Sequence, residues 1–383
     1  MNLFSKKYAV LLTALMLTAG AVSAGAEETA APEQQTGGGI QAGETMTADH
    51  LPTEAEMEAE FQQTLERRRQ EAAEKYAVIR MPGTCGEAVS YTLEDGVLTL
   101  RGSGVTDSYT EKYPAPWAER LSEIKALVVE EGVEGIGGNA FKDAEALETV
   151  SFPSSLKTIG NGAFRGCSAL KSVKLPENLA VLGRSAFRDC VSVQNVSVPA
   201  TLKQIPDAAF RGCSSLTDVT ISEGVQAIDS QAFHSTGLKN VQLPSTLKEM
   251  GNYVFKGCTA LENVVLPDGL ALMGHGTFSG CSALKSVTVP GSLQYIPVGT
   301  FENCTALESA VFQTGVKILD EQIFAGCPGL KSLTIPASVE EMDVDFLDEL
   351  YFTDESPLTI YAEEGSTAQE FAQTFELRCE LLK

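Results

Sequence analysis

Phenylalanine recurs at positions 141, 164, 187, 210, 233, 255, 278, 301, 324 and 346, always 22 or 23 residues apart. The same apolar positions return around each one. One unit reads Phe164, Cys167, Leu170, Val173, Leu175, Pro176, Leu179, Leu182 and then Phe187. The next reads Phe187, Cys190, Val193, Val196, Val198, Pro199, Leu202, Ile205 and then Phe210. A unit this short cannot bury so many side chains alone, so neighbours must stack and share one continuous core. The Val-x-Leu pair has period two and predicts a short strand. The proline after it ends that strand, because it cannot donate to a ladder. The Leu-x-x-Leu/Ile segment then turns the chain, and Ala-Phe-x-x-Cys predicts a compact helical or 3-10 turn on the far side. The expected product is a repeat solenoid of about ten coils, with one parallel β-sheet face whose strands run in register about 4.8 Å apart.

Two units depart from this pattern. One reads Phe233-His234-Ser235-Thr236-Gly237-Leu238, lacks its cysteine and is one residue short. The last places Met342 four residues before Phe346, so its turn is shortened.

Different patterns flank the repeats. Val89-Ser90-Tyr91-Thr92-Leu93 and Val97-Leu98-Thr99-Leu100 alternate around Glu94-Asp95-Gly96, which predicts a β-hairpin capping the N-terminal end of the solenoid. Upstream, Met57, Phe61, Leu65, Ala72 and Tyr76 fall on one helical face, and Thr53 with Glu56 forms a capping box. This helix either covers the end of the next domain or mediates assembly; Arg67-Arg68-Arg69 reads as its solvated face. Residues 27–52 are acidic and polar around Gly37-Gly38-Gly39 and read as a flexible linker. Lys6 and Lys7 precede an apolar run from Tyr8 to Leu17, then small residues through Ala26, which is the pattern of a cleavable export signal. The run is too short to span a membrane. The predicted organisation is therefore a signal at 1–26, a linker at 27–52, a helix at 53–80, a hairpin cap at 81–120, the solenoid at 121–350 and a C-terminal cap at 351–383.

Composition narrows the function. With 43% hydrophobic residues, the chain is too apolar to be disordered throughout. Lys and Arg number 28 against 51 Asp and Glu, a net charge of −23, which argues against nucleic acid and against an anionic membrane surface. Three histidines leave little material for metal sites or His-based triads. His50 falls in the linker, and His234 and His275 are expected to face solvent. No nucleophile-elbow, metalloprotease or phosphate-loop motif occurs, so neither catalysis nor a cofactor is expected.

Seven of the nine cysteines are repeat positions: Cys167, Cys190, Cys213, Cys258, Cys281, Cys304 and Cys327. In-register stacking leaves their Cβ atoms about 4.8 Å apart, where a bridge prefers roughly 3.8 Å. That spacing favours a ladder of buried thiols over strained disulfides. Cys85 and Cys379 sit at opposite ends and cannot reach each other.

The order Leu170-x-x-Val173-x-Leu175-Pro176-x-x-Leu179-x-x-Leu182-Gly183-x-x-Ala186-Phe187-x-x-Cys190 resembles the BspA-like leucine-rich repeats of bacterial surface and secreted proteins. The resemblance runs from about Leu121 to Phe346. The lead-in segments Gly83-Thr84-Cys85-Gly86 and Ala115-Pro116-Trp117, and the closing Ile360 to Ala368, are similar to those of the same proteins. It implies adhesion to host or microbial surface proteins, by a secreted protein that is free or held at the cell surface.

Solenoids bind through the extended face of their strands. The outward position between the strand anchors runs Val128, Ser151, Lys174, Ser197, Thr220, Gln242, Val265, Thr288, Val311 and Thr334. Two residues earlier the column includes Thr149, Ser172, Asn195, Asp218, Asn240, Asn263, Ser286, Ser309 and Ser332. Ser151, Lys174, Ser197, Thr220, Gln242, Thr288, Asn195, Asp218, Asn240 and Asn263 are the candidate ligand-binding residues. Their short donors and acceptors suit an extracellular protein or a glycan, although the columns lack the aromatic platforms that carbohydrate sites use. Thr and Ser equally suit exposed strands, and Asn ladders can stabilise stacked coils without binding anything.

Overall fold

The computed structural model describes residues 83–347, 351 and 357–382, all within one compact unit, Arg69–Lys383. The predicted export signal, linker and helix at 53–80 lie outside the described residues.

Residues Gly86–Glu94 (β1) and Val97–Thr106 (β2) pair antiparallel through the turn at Asp95 and Gly96, both at positive φ. Strand β2 then pairs in parallel with Ala126–Val129, and every later pairing between coils is parallel. In the Val-x-Leu strands alternate residues point inward: Asn195–Val198 and Asp218–Ile221 each bury their second and fourth residues. The C-terminal segment continues the stack. Thr359–Ala362 pairs with Ser332–Ile335, and Arg378–Leu381 pairs with Thr359–Ala362 across the helix Thr367–Thr374, which Ser366 caps.

The coils differ from the sequence reading in three ways. First, the Leu-x-x-Leu/Ile segments do more than turn the chain. They form a second column of two-residue parallel strands, such as Gln204–Ile205, Ala227–Ile228, Glu249–Met250 and Leu272–Met273. Second, the main ladder is interrupted after Ser151, after Ile221 and after Val265. At the second interruption the chain is one residue short, and Gly237 sits where a Cβ would lie 2.4 Å from the Ser214 carbonyl oxygen.

Third, the compact turn of the Ala-Phe-x-x-Cys side is also bonded to the next coil. The amides of Ala163, Arg165 and Cys167 make the expected bonds three residues back, to Gly160, Gly162 and Phe164. The alternate amides of Gly162, Phe164 and Gly166 leave the coil and donate to Arg184, Ala186 and Arg188 of the next. Left-handed residues two before and two after each phenylalanine turn these peptides outward. They run Asn139, Gly162, Ser185, Ala208, Gln231, Tyr253, Gly276, Gly299 and Gln322 before, and Asp143, Gly166, Asp189, Gly212, Ser235, Gly257, Gly280, Asn303 and Gly326 after.

The phenylalanines form the spine of the core. From Phe141 to Phe324 consecutive rings lie 5.2–5.7 Å apart and within 2–13° of parallel. Each such offset pair adds about 0.5–1.5 kcal/mol to the burial of the rings. Trp117 heads the stack, 5.1 Å from Phe141 and at 14°, with Nε1 donating to the Ala140 carbonyl at 2.8 Å. Phe346 stands edge-on at 71° and ends it.

Candidate binding face

All ten candidate residues are exposed, because each occupies an outward position of a strand whose neighbours anchor the core. The parallel register sets them in rows. Asn195 lies opposite Asp218 and Ser197 opposite Thr220, while Lys174 is level with Ser197. Asn240 lies opposite Asn263 and Gln242 opposite Val265. Asn263 Nδ2 donates to Asn240 Oδ1 at 2.9 Å, so these two amides satisfy each other along the stack. Thr288 is level with Val311, and Ser151 closes a shorter row beside Val128.

The interruptions divide this face. Asn195, Ser197, Asp218 and Thr220 share one section with Lys174; Asn240, Gln242 and Asn263 share the next; Thr288 belongs to a third. Between the last two a cleft of about 400 Å³ opens. It brings Asn263 and Thr288 together with Val265, Asp268, Pro290 and Gln313. Val265 is 69% exposed at its mouth. Asp268 and Gln313 were missed by sequence reasoning, since both lie outside the two outward columns. A second cleft, about 480 Å³, lies on the second strand column and is lined in part by Val181, Arg184, Gln204 and Asp229.

The titratable groups give no sign of acid–base chemistry on the face. Burial holds the thiols of Cys190, Cys213 and Cys281 well above the ordinary range, and pushes Cys258 up to about 11. No disulfide joins any of the nine cysteines, which all fall among the described residues, and eight of them are buried. His234 and His275 are both half-buried rather than fully turned to solvent, and the Ser235 hydroxyl lies 2.8 Å from His234 Nδ1. Burial, then Arg211 and Lys256, lower the pKa of His234. Among the described residues no group of three or more His, Cys, Asp or Glu side chains is placed to hold a metal.

The repeating coil of two strand columns and a phenylalanine spine matches a known family. The family model of the BspA-type leucine-rich repeat region matches residues 134–262 and 226–350, with six copies. The chain belongs to that family. No catalytic family is indicated. No curated protein sequence matches the chain.

Among solved structures, a leucine-rich cell surface protein of Faecalibacterium prausnitzii is similar at 21% identity, over 74% of this chain and 95% of its own, with a TM-score of 0.41. A leucine-rich repeat protein of Eubacterium ventriosum is similar at 22% identity over 72% of this chain and 82% of its own, with a TM-score of 0.45. One from Bacteroides ovatus is similar at 22% identity over 80% and 100%, with a TM-score of 0.42.

Proposed function

We propose that this is an exported, non-enzymatic repeat protein that adheres to an extracellular protein through its strand face. The observation that carries the reading is the neutral, polar character of that face in a chain of net charge −23. Ser, Thr, Asn and Gln outnumber charged residues in both outward columns, and most of them stand exposed, in register within each section of the ladder. A neutral surface approaches a protein partner without the repulsion that the rest of this acidic molecule exerts. The cleft at Asn263, Val265 and Thr288 offers an apolar point with polar groups around it, which suits an anchoring side chain of the partner. The lysine, apolar and small-residue pattern at 1–26 supports export. No helix among the described residues is long and apolar enough to cross a membrane.

The test is binding of the full chain to immobilised matrix proteins and mucins, compared with a Thr220→Glu/Asn240→Glu variant. A saturable interaction lost in the folded variant supports the face as the site. Binding that is indifferent to both charges removes it from consideration.

A further inference from the structure

The residue after each phenylalanine is basic in six consecutive coils: Lys142, Arg165, Arg188, Arg211, His234 and Lys256. These side chains lie half-exposed in a single file on the Ala-Phe-x-x-Cys side of the coils, away from the strand columns. The file ends abruptly, since the following coils place Ser279, Glu302 and Ala325 at the same position. The amides beside each one are hydrogen-bonded to the next coil, so successive charges advance by about 4.8 Å.

Acidic neighbours neutralise only part of the file. Asp143 lies 3.9 Å from Lys142, and Asp189 lies 3.1 Å from Arg188. Asp207 occupies, one coil on, the position that Arg184 holds. Arg165, Arg211 and Lys256 have no acidic partner among the described residues, and neither has the adjoining Arg184. Arg211 donates instead to the neutral Gln231, and Lys256 lies over the Tyr253 ring. Burial, and after it the nearby Arg211, Lys256 and Arg188, oppose protonation of His234. Alongside the file Asp143 and Asp189 each lean over the glycine of the next coil, their Oδ1 atoms 2.4 Å from where a Cβ of Gly166 or Gly212 would stand, so the acids sit beside the glycines.

We propose that this file is a binding site for an extended acidic polysaccharide carrying about one sulfate or carboxylate per sugar, laid along the stacking direction. Register selects this class. One sugar unit advances about as far as one coil, so acids on alternate sugars meet Arg165, Arg211 and Lys256, which stand on every second coil. A peptide strand presents same-side groups every two residues, about 6.6–6.8 Å, and drifts past a whole coil within about three contacts. A polyproline chain, at about 3.1 Å per residue, fits no better. The acids elsewhere on the molecule do not prevent contact, because charges beyond about 8 Å are largely screened at physiological salt. This site is independent of the strand face and stands or falls without it.

The experiment uses the full chain and immobilised heparin, a sulfated polysaccharide, at about 0.15 M salt. Heparin is expected to retain the protein, neutral dextran is not, and about 1 M salt should abolish retention. The variant Arg165→Gln/Arg188→Gln/Arg211→Gln should bind about tenfold more weakly or worse with its circular dichroism unchanged. If that variant does not fold, Lys142→Gln/Lys256→Gln supplies the same reading from the two ends. The Thr220→Glu/Asn240→Glu variant should bind heparin as the parent does. Absent retention, retention indifferent to the arginines, or loss in the strand-face variant would each overturn the assignment. So would equal retention on poly-glutamate or duplex DNA, which would make the file a peptide or nucleic-acid site.

Discussion

The thiol of Cys190 donates to the carbonyl oxygen of Phe164, 3.1 Å away and one coil nearer the N-terminus. The same bond joins Cys167 to Phe141, Cys213 to Phe187, Cys258 to Phe233, Cys281 to Phe255, Cys304 to Phe278 and Cys327 to Phe301. Except at Phe233, each phenylalanine carbonyl in this series thereby accepts a thiol as well as a backbone amide, as Phe164 does from Cys167 N–H at 3.2 Å. Thr236 occupies the cysteine position of the short unit. It donates to Phe233 of its own coil at 3.0 Å and meets Cys258 Sγ at 3.2 Å.

The repeat cysteine is thus a donor as well as a small apolar group, and the two roles separate by substitution. Cys190→Ala should cost about 1–2 kcal/mol through a small void and the lost bond. Cys190→Val refills the volume without a donor and should recover only part of that loss. Urea titration with an unchanged slope is the measurement. Full recovery in the valine variant would show that the bond contributes nothing.

The thiols also make stability fall at alkaline pH. In Cys190, Cys213, Cys258, Cys281 and Cys304 burial raises the folded pKa, whereas the unfolded thiol ionises near about 8.5. Above that value the unfolded chain releases protons that the folded one keeps, so each thiol removes up to about 1.4 kcal/mol per pH unit. The contribution is fully present below the unfolded pKa and declines upward toward the folded one. The melting temperature should therefore drop steeply between about pH 8 and pH 10, and less steeply when Cys190 and Cys281 are both alanine. Equal slopes in parent and variant would assign the drop to other groups.

Left-handed positions held by residues other than glycine store removable strain. Ala208 has φ 53° at a place where other coils use Gly162, Gly276 and Gly299. An L-residue there costs about 1–2 kcal/mol against glycine, part of which returns as glycine's greater chain entropy. Ala208→Gly should raise stability by about 0.5–1 kcal/mol. A lowered melting temperature would contradict this account.

Trp117 is the chain's single tryptophan and closes the aromatic spine at its N-terminal end. Tyr91 and Tyr109 pack edge-on against it at 5.2 and 5.9 Å. Trp117→Ala should cost about 3–5 kcal/mol, and Trp117→Phe less, since it keeps the stack but leaves the Ala140 carbonyl without its donor. Because stacked coils couple mainly to their neighbours, parental tryptophan emission should report loss of the N-terminal coils. Comparison with the circular dichroism transition tests whether the whole stack unfolds as one.

The sequence by itself determined the coil: its length, the inward set from Phe to Leu, the strand that proline ends and the two outward columns. It could do so because every core contact joins a unit to the next one along the chain, so a pattern local in sequence is also local in space. Only the tertiary structure decided how the coils are offset. Cys190 reaches Phe164, 26 residues back rather than the 23 of the repeat, and the period alone cannot say which carbonyl a thiol will meet. The alternating peptides around each phenylalanine depend on left-handed backbone that Gln231 and Tyr253 adopt without advertising it. The breaks after Ile221 and Val265, and the cleft holding Asp268 and Gln313, belong to how neighbouring coils meet, which the period does not specify. The basic file was written in the sequence after each phenylalanine. It acquired meaning once hydrogen bonds between coils set those side chains in line on one side.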